Sequence, residues 1–175
     1  NHGLNNWLPE ILRTSGMAPA QAGYWASIPT AVGIVGALLI PRLATEPRRL
    51  KILLALFLGA GVATLLLRAE AGPLLAAGLA LQGIARGAMM AVAVLVLMES
   101  AGVESRNVGL AGGMFFSAAE IGGVLGPLTI GVVSEATGGF SAPLVLMTAV
   151  AGVLILLLFW LRVALRKTKV RAVSP

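Results

Sequence analysis

The chain has 175 residues, of which 58% are hydrophobic and only 11% are charged, with a formal net charge of +6. Soluble domains contain about 25% charged residues, so this composition is typical of a membrane protein. The sequence has no cysteine and no aspartate, and its one histidine is His2, which excludes disulfide frameworks, Ser-His-Asp catalysis and His/Cys zinc sites. We therefore do not expect an enzyme, and no cofactor or metal is implied.

Residues 1–14 are too short and too polar for a complete membrane span. They look like the last half of a transmembrane helix, with Trp7 at the membrane interface. Because the sequence also lacks an initiator methionine, we expect a piece of a longer protein that is truncated within its first helix. Asn5 and Asn6 are candidates for hydrogen bonds to a bound solute, and the alternative is a role at the helix end.

Five further segments are apolar and predict membrane-spanning helices, which take roughly 20 residues. They are residues 23–43, 52–67, 74–98, 108–133 and 144–161. The shortest segment has 16 residues, and the long side chains of Lys51 and Arg68 at its ends can extend it to the membrane interfaces. The segments 52–67 and 144–161 are almost uniformly apolar, which predicts lipid-facing positions. The segments 74–98 and 108–133 contain polar side chains and many glycines, which predicts that they lie inside. The expected fold is an all-α, polytopic transmembrane helical bundle.

Each of the two inner segments carries one ionisable residue near its middle, Arg86 in the first and Glu120 in the second. A charge at that depth costs about 2.5 to 3.5 kcal/mol on insertion scales, so such residues usually pair with one another or mark a substrate pathway or a proton relay. Arg86 could bind an anionic substrate through its planar guanidinium, with Gln82 one helical turn away. The alternative is a structural ion pair between Arg86 and Glu120.

Glu120 has two interpretations of its own. It could carry a coupling proton, or it could be only the structural partner of Arg86. Ser117 lies in the same polar, glycine-rich segment and completes the set of candidate site residues.

Glycines spaced four residues apart are typical of close helix–helix packing, which explains them without any further role, although close packing also permits helices to slide. Three such pairs occur: Gly83-x-x-x-Gly87, Gly109-x-x-x-Gly113 and Gly122-x-x-x-Gly126. Gly33 and Gly36, in the segment 23–43, offer close backbone approach as well.

The basic residues divide unequally between the two sides of the membrane. If successive connectors alternate sides, one side carries only Arg13 and Arg68. The other side carries ten basic residues: Arg42, Arg48, Arg49, Lys51, Arg106, Arg162, Arg166, Lys167, Lys169 and Arg171. This bias predicts an integral multi-pass protein of the plasma (cytoplasmic) membrane with a cytoplasmic C-terminus. Topology explains the basic surplus, so no nucleic-acid partner is expected.

In their order, these features resemble the C-terminal half of a major facilitator superfamily (MFS) transporter, and the resemblance covers essentially the whole chain. The stretch WLPEIL at 7–12, followed by AGYWASIPTAVGIVGALL at 22–39, is similar to the seventh and eighth helices of that family. The spacing Gly122-x-x-x-Gly126-Pro127-x-x-x-Gly131 resembles the glycine-proline pattern of the eleventh helix. The WLPEIL region also resembles the cyanate/nitroimidazole permease branch.

The loop PRLATEPRRLK at 41–51 resembles a decayed copy of the cytoplasmic signature G-x-L-x-D-R-x-G-R-R. Leu43, Arg48 and Arg49 fit that signature. Pro41 replaces its first glycine, Thr45 replaces its acidic residue, and the loop is one residue short. These departures weaken the case for a gating ion pair in this loop.

The resemblance implies that residues 1–175 are the C-terminal transmembrane half of a transporter that works together with a missing N-terminal half. In that family the seventh, eighth, tenth and eleventh helices line the substrate cavity, which would place Asn5 and Asn6 there too. The implied function is secondary active transport of a small solute, such as an organic or inorganic anion, by alternating access, with a proton as candidate coupling ion. The alternative is a non-transporting membrane scaffold or assembly subunit with a structural Arg–Glu pair.

Overall fold

Six helices make up the part of the chain that the computed structural model describes, which is residues 2–98 and 107–173, with side chains for 3–98 and 107–163. They are α1 (His2–Thr14), α2 (Pro19–Leu43), α3 (Arg49–Leu66), α4 (Pro73–Met98), α5 (Val108–Thr137) and α6 (Ser141–Val173). Arg106 and the basic side chains beyond residue 163, which carry half of the predicted charge bias, lie outside the described side chains.

The helices follow the apolar segments of the sequence closely. α2 to α5 and residues 141–163 of α6 are long and apolar enough to cross a membrane. α1, with 13 residues, corresponds to the predicted half-span. The structure therefore confirms an all-α bundle of one partial and five full helices.

α6 is longer than the sequence predicted. Its apolar segment ends near Leu161 and a basic tail is expected after it, but the helix continues to Val173. Residues 162–173 contain neither glycine nor proline and consist largely of arginine, lysine, alanine and leucine, which favour helix. The helix therefore continues beyond the apolar segment, because no residue there interrupts helical backbone.

Glycine and proline set the connectors between helices. Gly16 has a φ of 93° in the turn after α1, and Pro19 occupies the first turn of α2, where its missing N–H costs nothing. Gly138 ends α5 in the left-handed conformation, with a φ of 71°, and donates its backbone N–H to the Ser134 carbonyl. These residues make the reversals between consecutive helices possible.

α4 is the central helix and packs against both α2 and α3. At its crossing with α2, a Cβ on Gly83 would lie 2.5 Å from the Pro29 carbonyl oxygen, and a Cβ on Gly87 would meet the Gly33 carbonyl. The two backbones touch directly there, which confirms the predicted packing role of these glycines. Pro29 contacts Gly83, and Gly33, one turn later in α2, contacts Gly87, one turn later in α4. The two helices therefore run parallel.

α1 and α5 form a second parallel crossing. A Cβ on Gly3 would lie 2.7 Å from the Gly126 carbonyl carbon, and Trp7 packs over Gly131. The Trp7 indole Nε1–H donates to the Pro127 carbonyl at 2.9 Å. Trp7, expected at the membrane interface, thus makes a specific contact inside the bundle.

α3 and α6 pack antiparallel, since Thr64 meets Thr148 while Gly61 meets Ala151. The two threonine hydroxyls are 2.8 Å apart, and one donates to the other.

α3 also packs antiparallel to α4, since Leu66 meets Gly78 while Gly59 meets Leu81. α2, α4 and α6 therefore share one direction and α3 has the opposite one, as the alternation of connectors requires.

α5 is packed less tightly through its first half than around its crossing with α1. Ile130 is its one buried residue among those described, and a Cβ on Gly109, Gly113 or Gly122 would meet nothing within 4 Å. The packing expected of Gly109-x-x-x-Gly113 is therefore not found within the described part of this chain, where no neighbouring atom lies within reach of either glycine. α4 lies inside as predicted, whereas the first half of α5 has an open surface.

Candidate functional site

Arg86 lies near the middle of α4, about 20 Å from its start at 1.5 Å per residue. Its side chain is half-buried and reaches towards α2, where Nη2 lies 3.5 Å from the Thr30 hydroxyl oxygen. Gly33 lines the same space, since a Cβ there would be 3.6 Å from Nη2. The glycine crossing thus provides the room for the guanidinium beside α2.

The Arg86 guanidinium has few hydrogen-bond partners. It carries five N–H donors, yet its contact with Thr30 is at the outer limit of a hydrogen bond and its buried Nε has no partner. A cation near the middle of a membrane helix is stable only when its donors are satisfied or hydrated. Arg86 therefore retains the capacity to bind an acceptor such as a carboxylate.

Arg86 and Glu120 do not pair. Within the described residues, the ion pair is between Arg13 and Glu10, one turn apart on α1 and 2.9 Å from Nη1 to Oε2. Glu120 is exposed on the open surface of α5, and few contacts join α4 to α5. This arrangement does not support the interpretation of Arg86 as half of a structural pair.

Gln82 lies one turn before Arg86 but in a different environment. It is 3% exposed and lines a cavity of about 110 Å³ between α1, α3, α4 and α6, to which Arg86 does not contribute. Its amide Nε2 is buried without a hydrogen-bond partner. The two polar residues of α4 therefore have separate surroundings, although the sequence placed them on one face.

The remaining predicted residues stay apart from Arg86. Asn5 is half-buried and Asn6 is exposed on α1, while Ser117 is exposed on the same open stretch of α5 as Glu120. No hydrogen bond joins any of these four to Arg86 among the residues described. The described residues also contain no cluster of three or more His, Cys, Asp or Glu side chains that could hold a metal ion.

Thr30, which contacts Arg86, is not among the residues predicted from the sequence. The glycines could have indicated it. If Gly83 and Gly87 are placed against Pro29 and Gly33 in a parallel crossing, Arg86 lies next to Thr30. Choosing that alignment requires knowing which two helices cross, and the glycine spacing alone does not provide this information.

Five helices that are long and apolar enough to cross a membrane, with a half-buried arginine in the middle of one of them, define a polytopic membrane protein. The family model of the Major Facilitator Superfamily matches residues 2–174, so the chain belongs to this superfamily. It is therefore an integral multi-pass membrane protein, and the family predicted from the sequence is confirmed. The assignment to the cyanate/nitroimidazole permease branch stays a prediction.

A curated relative is the quinolone resistance transporter of Acinetobacter baumannii, which is 27% identical to the chain over 185 residues. The alignment covers 99% of this chain and 40% of the relative, so the chain spans about two fifths of the relative's length. No solved structure matches the chain significantly.

Proposed function

We propose that the protein containing this chain is a secondary active transporter that moves a small organic anion across the cytoplasmic membrane by alternating access. Residues 1–175 form its C-terminal six-helix half in this proposal, and the substrate's acidic group binds Arg86. The observation that carries the proposal is the Arg86 guanidinium, half-buried in mid-helix with an unpartnered Nε and one long contact to Thr30.

The chemistry of arginine favours an anion over a neutral solute. A guanidinium stays charged at any physiological pH and donates two parallel N–H bonds to one carboxylate. A carboxylate at this position would satisfy the donors that the described protein residues leave unpaired. The anion therefore compensates the cost of keeping Arg86 inside the membrane.

The open surface of α5 is consistent with a complete transporter in which an N-terminal half faces this surface. Gly112, Gly113 and Glu120 lie there with no neighbouring helix in the described chain. In a twelve-helix transporter, this surface would line the central cavity opposite the other half. Glu120, exposed and unpaired among the described residues, is the proposed carrier of a coupling proton.

The relative's name suggests a first set of test substrates. It is called a quinolone resistance transporter, and quinolones carry a ring carboxylate next to a ketone. A quinolone and a simple aromatic carboxylate should therefore head the panel, with a neutral ester of each as the uncharged comparison.

The test compares variants of the complete protein in proteoliposomes, with transport measured in both directions. Arg86→Lys should reach the membrane at wild-type levels yet lose most transport, because an ammonium cannot fork onto a carboxylate. Arg68→Lys, the same change at an exposed connector residue, should transport normally. Equal transport by wild type and Arg86→Lys would refute Arg86 as the anion ligand.

Glu120→Gln tests the coupling proton separately. A proton carrier should lose transport driven by a pH gradient, while exchange of substrate across the membrane continues. If both activities survive in this variant, Glu120 carries no proton.

The scaffold alternative is distinguished by access to the site. In a transporter, a cysteine introduced at Thr30, which is exposed beside Arg86, should react with a water-soluble thiol reagent. The transported anion should slow that reaction. A scaffold with a sealed interior would show no reaction at this position and no protection.

A further inference from the structure

A cavity of about 110 Å³ lies inside the helix bundle, away from Arg86. Its wall includes Leu4 of α1, Phe57 of α3, Met89 of α4 and Met147 of α6. Two further lining residues of α6, Val150 and Leu154, are 45% and 38% exposed. The cavity is therefore apolar along most of its wall and open beside α6.

Gln82 supplies the polar end of this cavity. The side chain is 3% exposed, and its amide Nε2 has no partner. Thr64 also lines the cavity, but its hydroxyl already contacts the Gly61 carbonyl at 2.7 Å and the Thr148 hydroxyl at 2.8 Å. Buried amide donors are nearly always hydrogen-bonded, so the unpaired Gln82 nitrogen requires an acceptor.

The wall chemistry decides what kind of acceptor fits. An internal water needs two to four polar partners, and this wall offers little beyond the Gln82 amide and an engaged threonine hydroxyl. Apolar cavities of about 150 Å³ in other proteins stay dry and bind benzene. Phenylalanine and two flexible methionines make the wall adaptable to a small ring.

We propose that this cavity binds a small neutral lipophile with one acceptor oxygen, which accepts a hydrogen bond from Gln82 Nε2 while its apolar body fills the space between Phe57, Met89 and Met147. The ligand enters beside Val150 and Leu154. The site requires neither an anion at Arg86 nor a working transport cycle, so it does not depend on the proposed function.

The probes are cyclopentanone and methylenecyclopentane, which have nearly the same shape but differ in the acceptor oxygen. A ligand that binds only the folded state raises Tm as its concentration increases. With the complete purified protein, both probes should give a saturable rise in Tm. Cyclopentanone gives up hydrogen bonds to water when it enters the cavity and methylenecyclopentane does not, so the quantity compared is the ratio of their two half-saturation concentrations in each variant.

Three variants separate the hydrogen bond from the space. Gln82→Leu removes the donor at similar volume and should raise the half-saturation concentration of cyclopentanone, relative to that of methylenecyclopentane, about two- to tenfold, because a net hydrogen bond is worth about 0.5–1.5 kcal/mol. Ala60→Leu places a larger side chain on the cavity wall and should abolish the effect of both probes. Gln21→Leu, the same change at an exposed position of α2, should behave as wild type.

Several outcomes would overturn the proposal. The first is no saturable rise in Tm with either probe, which would indicate an empty or water-filled cavity. The second is the same ratio of half-saturation concentrations in the wild type and in Gln82→Leu, which would remove the role of Gln82. The third is an unchanged probe effect in Ala60→Leu, which would place binding elsewhere. If Gln82→Leu does not fold, Gln82→Met gives the same comparison.

Discussion

The environment of Arg86 shows how a charge can be kept inside an apolar bundle without a countercharge. The glycines at the α2–α4 crossing leave room for the guanidinium, and Thr30 offers one weak acceptor. Neither contact approaches the energy of a buried ion pair, whose disruption typically costs about 3 to 5 kcal/mol. In the transport proposal, water and a bound anion satisfy the donors that the described residues leave unpaired.

The missing ion pair leads to a prediction about Arg86 and Glu120. The effects of Arg86→Leu and Glu120→Leu on Tm and on membrane expression should add in the double variant, with a coupling below about 0.5 kcal/mol. The measurement is a double-mutant cycle on the complete protein. Restored expression in the double variant, relative to Arg86→Leu alone, would show that the two residues pair after all.

A second residue-scale prediction concerns Trp7. Trp7→Phe keeps a ring next to Phe140, whose centroid is 5.7 Å away, but removes the hydrogen bond to the Pro127 carbonyl. The loss should destabilise the protein by about 0.5–1.5 kcal/mol, read as a lower Tm. Trp160→Phe is the matched control, because Trp160 is 71% exposed. If the two variants unfold at the same temperature, the indole bond contributes nothing.

At the scale of helices, the α2–α4 crossing is the closest contact in the bundle. Backbone atoms of Pro29 and Gly33 occupy the positions where side chains of Gly83 and Gly87 would begin. Such contacts allow dispersion forces to act along the whole crossing, which is the main source of association between helices in lipid. The position of Arg86 next to Thr30 is a direct result of this approach.

Gly87→Ala should therefore disrupt the crossing. The new methyl group would collide with the Gly33 carbonyl, which is backbone and cannot rotate away. Overpacking of this kind typically costs about 1–3 kcal/mol, so Tm and membrane expression should both fall. Gly152→Ala is the control, since a Cβ there meets nothing within 4 Å, and alanine favours helix over glycine. Similar behaviour of the two variants would argue against the observed crossing.

The number and approximate position of the helices could be predicted from the sequence because apolar length is a local property, although α2 begins and α5 ends four residues outside the predicted segment. Helix neighbours could not, because the spanning helices are apolar nearly all round and their sequences do not indicate which face meets which partner. Thr30 next to Arg86, and Trp7 on Pro127, both join helices that are not consecutive. The Gln82 cavity depends on four helices together, so no single segment predicts it.

For the whole molecule, the packing directions place the C-terminal ends of α2, α4 and α6 on one side. If that side is cytoplasmic, as the arginine and lysine count predicts, a cysteine at Thr45 should react only with membrane-permeant reagents in intact cells. A cysteine at Thr137, which is exposed at the C-terminal end of α5 on the opposite side, should react with membrane-impermeant reagents. The chain contains no cysteine of its own to interfere, and the reverse labelling pattern would invert the orientation.

The two parallel crossings differ in how firmly they hold their register. α1 is held on α5 by the hydrogen bond from the Trp7 indole to the Pro127 carbonyl and by the packing of the same indole over Gly131. α2 and α4 meet along glycine and proline backbone, and the hydrogen bond from Arg86 to Thr30 between them is long. A shift along the helix axes therefore meets less resistance between α2 and α4, and α4 would carry Arg86 with it while α5 keeps its register on α1. Distances between spin labels on α2 and α4 should therefore be more widely distributed than distances between labels on α1 and α5.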